Sequence, residues 1–143
     1  MDAQNYSNHR RFVPMYHAVL FGLLIVTLIG SVNNLYRSIG TPRLYNASLI
    51  VALVLIGFFL FLFCRMFALK AQDRAIRSEE SLRHFILTGK PIDTRLTIRQ
   101  IIGLRFAEDK EFVELARRAA EEGLSEDAIK KAIKNWRGDY YRV

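Results

Sequence analysis

The apolar residues of this chain are concentrated in two long stretches, and the remaining segments show helical periodicity. The second stretch, Leu44–Cys64, contains no charged residue and is dominated by Leu, Ile, Val and Phe. A helix rises about 1.5 Å per residue, so a stretch of this length can cross the ~30 Å hydrocarbon core of a bilayer. The pattern therefore predicts a transmembrane helix over residues 44–64.

The first stretch predicts another span, over residues 16–35. It is the less apolar of the two, because Gly22, Thr27, Gly30 and Ser31 interrupt it. It is also longer than the apolar region of a usual signal peptide. The short polar connection to the next span is typical of an antiparallel hairpin. We therefore predict a two-span hairpin over residues 16–64, preceded by a polar tail over residues 1–15 that lies at the membrane surface.

The second helix is predicted to continue past the membrane as a stalk over residues 65–89. No Gly or Pro lies between Gly57 and Gly89 to interrupt it. We expect Thr41 to cap its first turn, with Pro42 at the first helical position. Gly89 is suited to the left-handed conformation that ends a helix, and a proline follows two residues later.

Mainly small side chains recur along this helix in steps of three and four. They form a seam that comprises Gly57, Phe61, Cys64, Ala68, Ala71, Ala75, Ser78, Leu82 and Phe85. Such spacing is typical of a helix that packs along another helix, and small residues allow a close approach. Three occupants remain open: the chain's own first span and C-terminal helices, a parallel second copy in which Arg74 faces Glu79 of the partner, and another protein.

Three short amphipathic patterns follow and predict a small helical module over residues 92–143. Thr97 and Gln100 have the spacing of a capping box, Asp109 is expected to cap the next helix, Gly123 to end it and Ser125 to cap the last. The third pattern is predicted to carry a continuous apolar stripe as far as Trp136. The predicted core of the module is Phe112, Ala116, Ile129, Ile133 and Trp136. The predicted fold is all-α: a transmembrane hairpin, its stalk and a three-helix module.

The distribution of charge along the chain also predicts how the two spans are oriented in the membrane. The 143 residues carry a formal net charge of +7, without a dense basic segment. Basic residues near the span ends favour the terminal side over the connecting loop: Arg10, Arg11, Arg65, Lys70, Arg74 and Arg77 against Arg37 and Arg43. Cytoplasmic flanks of membrane spans are enriched in Lys and Arg. We therefore predict a multi-pass protein with both termini in the cytoplasm.

The residues that could carry chemistry are few. The chain has three histidines and one cysteine, and none of them has metal-ligand or nucleophile spacing to other reactive residues. The sequence indicates no active site, no cofactor and no small-molecule substrate. We expect a non-enzymatic scaffold, accessory subunit or adaptor that has the lipid bilayer and a protein partner or a second copy as its contacts. An enzyme whose site forms only with a partner stays open.

One motif suggests a different function. Ala119, Gly123, Leu124 and Ile129 have the offsets of a DNA-binding helix-turn-helix. A tight helix pair with a glycine corner produces the same pattern. Glu126 and Asp127 open the second helix, where acidic side chains would repel phosphates. A packed helix pair is therefore favoured, and a membrane-tethered DNA-binding regulator is the alternative.

Several stretches distributed over nearly the whole chain carry a resemblance. They are AQNYSNHRRFVP, the QDR and LTGK of the stalk, LRFAEDKEFVELARRA and DAIKKAIKNWRGDYYRV. The chain resembles a family of small bacterial two-span membrane proteins that is known only as a domain of unknown function. The resemblance implies a bacterial inner membrane and the two-span layout. It implies no activity, cofactor or catalytic residue.

Overall fold

The computed structural model describes residues 4–9 and 11–141, and all their regular elements are helical, which confirms the all-α prediction. A π-helical segment, Met15–Leu20, leads into α1 (Phe21–Ser38), and the other helices are α2 (Leu44–Thr88), α3 (Ile98–Leu104), α4 (Asp109–Glu122) and α5 (Glu126–Ala132). The chain divides into two compact units, residues 11–67 and residues 68–143 with 1–10. Arg10, which the charge count used, lies outside the described residues.

Two helical stretches within the described residues are long and apolar enough to cross a membrane, Met15–Ser38 and Leu44–Thr88. The second is one α-helix through the predicted span and stalk. It begins at Leu44 rather than at Pro42. The Thr41 hydroxyl accepts from the Arg43 N–H at 3.3 Å, and the Leu44 N–H bonds the Thr41 carbonyl in a turn. It ends as predicted at Gly89, which has a φ of +70°.

In the first unit, the π-helical segment and α1 pack along the apolar half of α2. The Tyr16 ring stacks on Phe61 with their centroids 4.3 Å apart, and the Tyr16 hydroxyl donates to the Phe61 carbonyl. A Cβ added at Gly57 would lie 3.5 Å from Leu24 Cδ2, an ordinary contact distance. The two helices thus form a hairpin within this unit.

Three predicted helix ends in the second unit are confirmed. Thr97 and Gln100 form the reciprocal bonds of a capping box. Gly123 has a φ of +63° and follows α4 directly. The Ser125 hydroxyl accepts from the Ala128 N–H at 3.1 Å and caps α5. The Asp109 cap was wrong: Glu108 holds the extended N-cap position, and Asp109 is the first residue of the helix.

The helical stripe predicted as far as Trp136 was also wrong. α5 ends at Ala132, and Ile133 is extended. The chain then pairs with the segment before α4, because the Arg137 N–H bonds the Phe106 carbonyl at 2.7 Å and Glu108 N bonds the Asn135 carbonyl. These contacts replace the helical hydrogen bonds that the periodic sequence predicted.

The core of the second unit forms where α2, α3, α4 and α5 meet. α3 and the residues directly after it are its most deeply buried part, from Gln100 to Ala107. The buried cluster consists of Ile76, Leu96, Ile101, Ile102, Leu104, Phe106, Ala107, Phe112, Leu115, Ala116, Ala119, Ile129 and Ile133. α2 therefore contributes directly to the core of the unit through Ile76.

Candidate functional site

The structure divides the predicted seam into covered and exposed residues. In the first unit, Gly57 lies against α1, and Phe61 lies against α1 and the π-helical segment, whereas Cys64 is exposed. In the second unit, Ala68 is half-buried and the remaining members are exposed. We call these exposed members the stalk seam: Ala71, Ala75, Ser78, Leu82 and Phe85.

The opposite face of α2 carries the rest of the second unit. Ile76 and Glu80 are buried there, and Arg83 and His84 are partly buried. In heptad terms the buried side chains occupy positions b, c and f, whereas the stalk seam occupies positions a and d. Since these positions lie on opposite sides of a helix, α3 to α5 pack mainly on the side away from the stalk seam, and the members of the stalk seam remain exposed.

Arg83 links α2 by hydrogen bonds to α4 and to the segment that precedes it. Its guanidinium donates to Glu80 Oε2 at 2.9 Å, to Asp109 Oδ1 at 2.7 Å and to the Ala107 carbonyl at 2.7 Å. It also lies 4.3 Å from the centroid of the Phe112 ring. Both Arg83 and Glu80 have nearly inaccessible side chains, 11% and 6% exposed. This is a buried ion pair whose hydrogen bonds join two elements.

An apolar surface flanks this ion pair on the outer side of α2. Leu82, Phe85 and Ile86 are 60%, 53% and 72% exposed. Leu82 and Ile86 also line a groove of about 720 Å³ whose rim carries charged side chains, among them Glu79, Glu108, Lys110 and Arg137. An exposed apolar patch with a charged rim is characteristic of protein-binding surfaces.

The residues predicted as the module core meet in the second unit. Phe112, Ala116, Ile129 and Ile133 lie in the buried cluster, and Trp136 packs against it from a half-buried position. The Trp136 ring lies 5.0 Å from the Phe106 ring and 5.7 Å from His9, centroid to centroid. The aromatic neighbours of Trp136, Phe106 and His9, thus lie outside the predicted core of the module.

Two residues of α3 set its spacing from α4 and α5: the polar Gln100 and the small Gly103. The Gln100 amide, besides its cap, donates to the carbonyls of Ala119 and Leu124 at 2.9 and 3.0 Å. A Cβ at Gly103 would lie 3.2 Å from the Glu126 carbonyl oxygen, tighter than an ordinary contact. Gln100 therefore satisfies the end of α4, and Gly103 allows α5 to approach closely.

Residues 4–9, which belong to the predicted N-terminal tail, lie against α5 and the chain that follows it. The Tyr6 hydroxyl donates to Asp127, and the Gln4 side chain bonds the backbone N–H and carbonyl of Asp139. Buried His9 lies edge-on to Phe106 at 5.7 Å. Hydrogen bonds from Lys131 and Tyr6 lower the pKa of the Asp127 carboxyl. Both ends of the described chain therefore belong to one packed unit.

The helix-turn-helix offsets fall on α4, Gly123 and α5, which has only seven residues. Its lysines are paired within the helix: Lys130 lies 2.6 Å from Glu126, and Lys131 lies 2.7 Å from Asp127. These pairs neutralise the charges that α5 would offer to phosphates.

No group of three His, Cys, Asp or Glu in residues 4–9 and 11–141 is placed to hold a metal ion. His84 Nδ1 lies 3.0 Å from the Lys90 carbonyl. The His84 imidazole thus contacts the backbone at the end of α2. The apolar surface beside Arg83 is the main candidate for a functional site.

Sequence reasoning missed the residues that fix this surface. In the sequence, Glu80 and Arg83 are typical of the charged side chains of a solvent-exposed stalk, and His9 is part of the predicted N-terminal tail. The signal in the sequence is a set of apolar residues on the side of the helix opposite to the seam: Leu69, Ile76 and Leu87.

The chain belongs to DUF6526, a family of unknown function, whose model matches residues 1–143. The resemblance to a domain of unknown function is thereby confirmed. No curated protein and no solved structure matches the chain.

Proposed function

We propose that this protein is a non-enzymatic membrane scaffold, accessory subunit or adaptor that binds protein through the outer face of α2. The observation that carries the proposal is the exposure of Leu82, Phe85 and Ile86 close together on α2, in a unit that has a buried apolar cluster of its own. Large apolar side chains clustered at one surface lower the free energy of association when a partner covers them.

The membrane anchor in this proposal is the hairpin of α1 and α2. Apolar side chains cover the outside of both helices, among them Val26, Ile29, Leu53 and Phe59, each more than half exposed. Lipid tails solvate such side chains far better than water does. The hairpin is thus suited to a bilayer, and we propose the bacterial inner membrane as its location.

The packing of the N-terminal segment supports a hairpin with both ends on the same side. Gln4 and Tyr6 bond residues near the other end of the chain. Chain ends that touch cannot lie on opposite sides of a bilayer, so the number of crossings between them is even. The excess of Arg and Lys on that side favours the cytoplasm.

This orientation predicts a labelling pattern for single-cysteine variants. We would replace Cys64 by serine and introduce Ile39→Cys in the connection between α1 and α2, or Lys110→Cys in α4. Both positions are exposed. In intact spheroplasts an impermeant maleimide should label Ile39→Cys, and Lys110→Cys should react only after lysis. The reverse pattern, or labelling of both in intact cells, would contradict the orientation.

The binding surface is tested with Leu82→Asp in the full-length chain, purified in mild detergent from native membranes. Asp at this position places a charge in the apolar patch without touching the buried cluster. Proteins that co-purify with the wild type should be lost with Leu82→Asp and kept with Arg77→Ala. Arg77 is the control because it is exposed on the same helix but outside the stalk seam.

Two results would overturn this proposal. One is an identical set of co-purified proteins, in equal amounts, from all three chains. The other is binding of duplex DNA that weakens steeply with salt and is unaffected by Leu82→Asp, which would favour the helix-turn-helix alternative.

A further inference from the structure

We propose that the occupant of the stalk seam is a second copy of this chain, with the two α2 helices parallel over residues 68–85. This inference rests on the proposed scaffold function and specifies its first partner. It concerns the stalk seam alone, not the apolar half of α2, where α1 is packed.

The surface available for a second copy is defined by what already covers α2. Ile76, Glu80 and Arg83 hold α3 and α4 on one side of the helix. The a and d positions on the other side stay exposed over residues 71–85. α2 thus carries an apolar stripe with helix-pairing spacing that the described residues leave exposed, with Leu82 at the edge of the groove beside α4.

The side chains of the stalk seam suit a paired helix. Ala71 and Ala75 allow two backbones to come close, and Leu82 and Phe85 supply apolar area that is at present more than half exposed. Ser78, the one polar member, donates its hydroxyl to the Arg74 carbonyl at 3.2 Å. Its hydrogen bond is already made within the helix, so covering it leaves no donor without an acceptor.

Charges beside the stalk seam favour a parallel copy over an unrelated helix. Arg74 is at a g position and Glu79 at the following e position, which is the spacing at which parallel helices form interchain ion pairs. Both side chains are exposed. A two-fold axis between the copies would form this pair twice, from Arg74 of each chain to Glu79 of the partner.

The proposed anchor also fixes the direction of the second copy. Two chains inserted into one membrane with the same orientation present their α2 helices in the same sense. An antiparallel pair would need one chain to be inserted upside down. The bilayer therefore selects the arrangement in which the two ion pairs form.

Disulfide trapping in native membranes tests the contact directly. In full-length Cys64→Ser, Ser78→Cys places a thiol at a d position, and Arg77→Cys places one at the neighbouring c position as the control. Facing d positions in a parallel pair meet the distance requirement of a disulfide, whereas c positions point away. Mild oxidation should give Ser78→Cys a reducible species of twice the monomer mass, and Arg77→Cys none.

Charge reversal tests whether the two α2 helices pair in the predicted register. Arg74→Glu alone and Glu79→Arg alone each create two like-charge contacts, and should weaken self-association of the full chain in detergent by roughly tenfold. The double variant Arg74→Glu/Glu79→Arg restores opposite charges and should regain most of the lost association. Loss in both single variants without rescue would contradict this register.

The outcomes separate this inference from the scaffold proposal. If Ser78→Cys forms no dimer, or no more than Arg77→Cys, while Leu82→Asp still removes co-purified proteins, the second copy is wrong and the scaffold stands. If Ser78→Cys forms the dimer while Leu82→Asp removes no other protein, the second copy stands and the binding of further partners is wrong.

Discussion

Replacement of Arg83 by methionine is expected to destabilise the second unit by about 3–5 kcal/mol, the usual cost of removing one member of a buried ion pair. The variant would leave the Glu80 carboxylate, 6% exposed, with Arg137 at 3.8 Å as its remaining ion-pair partner. It would also remove the bonds to Asp109 and to the Ala107 carbonyl. α2 would then lose its polar attachment to α4.

The measurement uses Trp136, the single tryptophan, as a fluorescence reporter of urea unfolding in detergent. Arg117→Met is the control, since Arg117 pairs with Glu114 and Glu121 on the exposed side of α4. Exposed ion pairs are weak, so its midpoint should hardly move. The double variant Arg83→Met/Glu80→Met should recover the part of the loss that comes from the unpaired Glu80 carboxylate, but not the part that comes from the lost bonds to Asp109 and the Ala107 carbonyl. Equal midpoints for Arg83→Met and Arg117→Met would contradict this account.

Truncation of Phe112 to alanine is the second change with a large expected effect. Its ring is fully buried, lies under the Arg83 guanidinium and contacts the His84 ring edge-on at 6.2 Å. Loss of a buried phenylalanine ring costs about 3–5 kcal/mol because transfer and cavity terms add. In a unit of this size we expect the folded state to be lost or marginal.

Phe85→Ala provides a control with the same chemical change at an exposed position of the stalk seam. It should leave backbone hydrogen exchange of α3 and α4 unchanged, whereas Phe112→Ala should abolish their protection. By contrast, self-association should weaken with Phe85→Ala. Retained protection in Phe112→Ala would show that the buried cluster does not depend on this ring.

The helices and most of their ends could be predicted because they depend on local interactions. A long apolar run without Pro is typical of a helix. The Thr97–Gln100 box, Ser125 and Gly123 act on backbone groups within one turn. The end of α5 could not be predicted, since it depends on distant partners. Glu111 accepts from the N–H groups of Lys134 and Asn135 and holds them out of a helix.

The sequence by itself determined the all-helical class, the two apolar helices and the spacing of the seam, because periodicity and hydropathy are properties of each segment alone. Only the tertiary structure decided which parts of the seam are covered. α1 packs against Gly57 and Phe61, whereas Arg83 and Ile76 draw α3 and α4 to the other side of α2. Which face of a helix is left exposed depends on contacts between residues far apart in the chain, and no local pattern contains them.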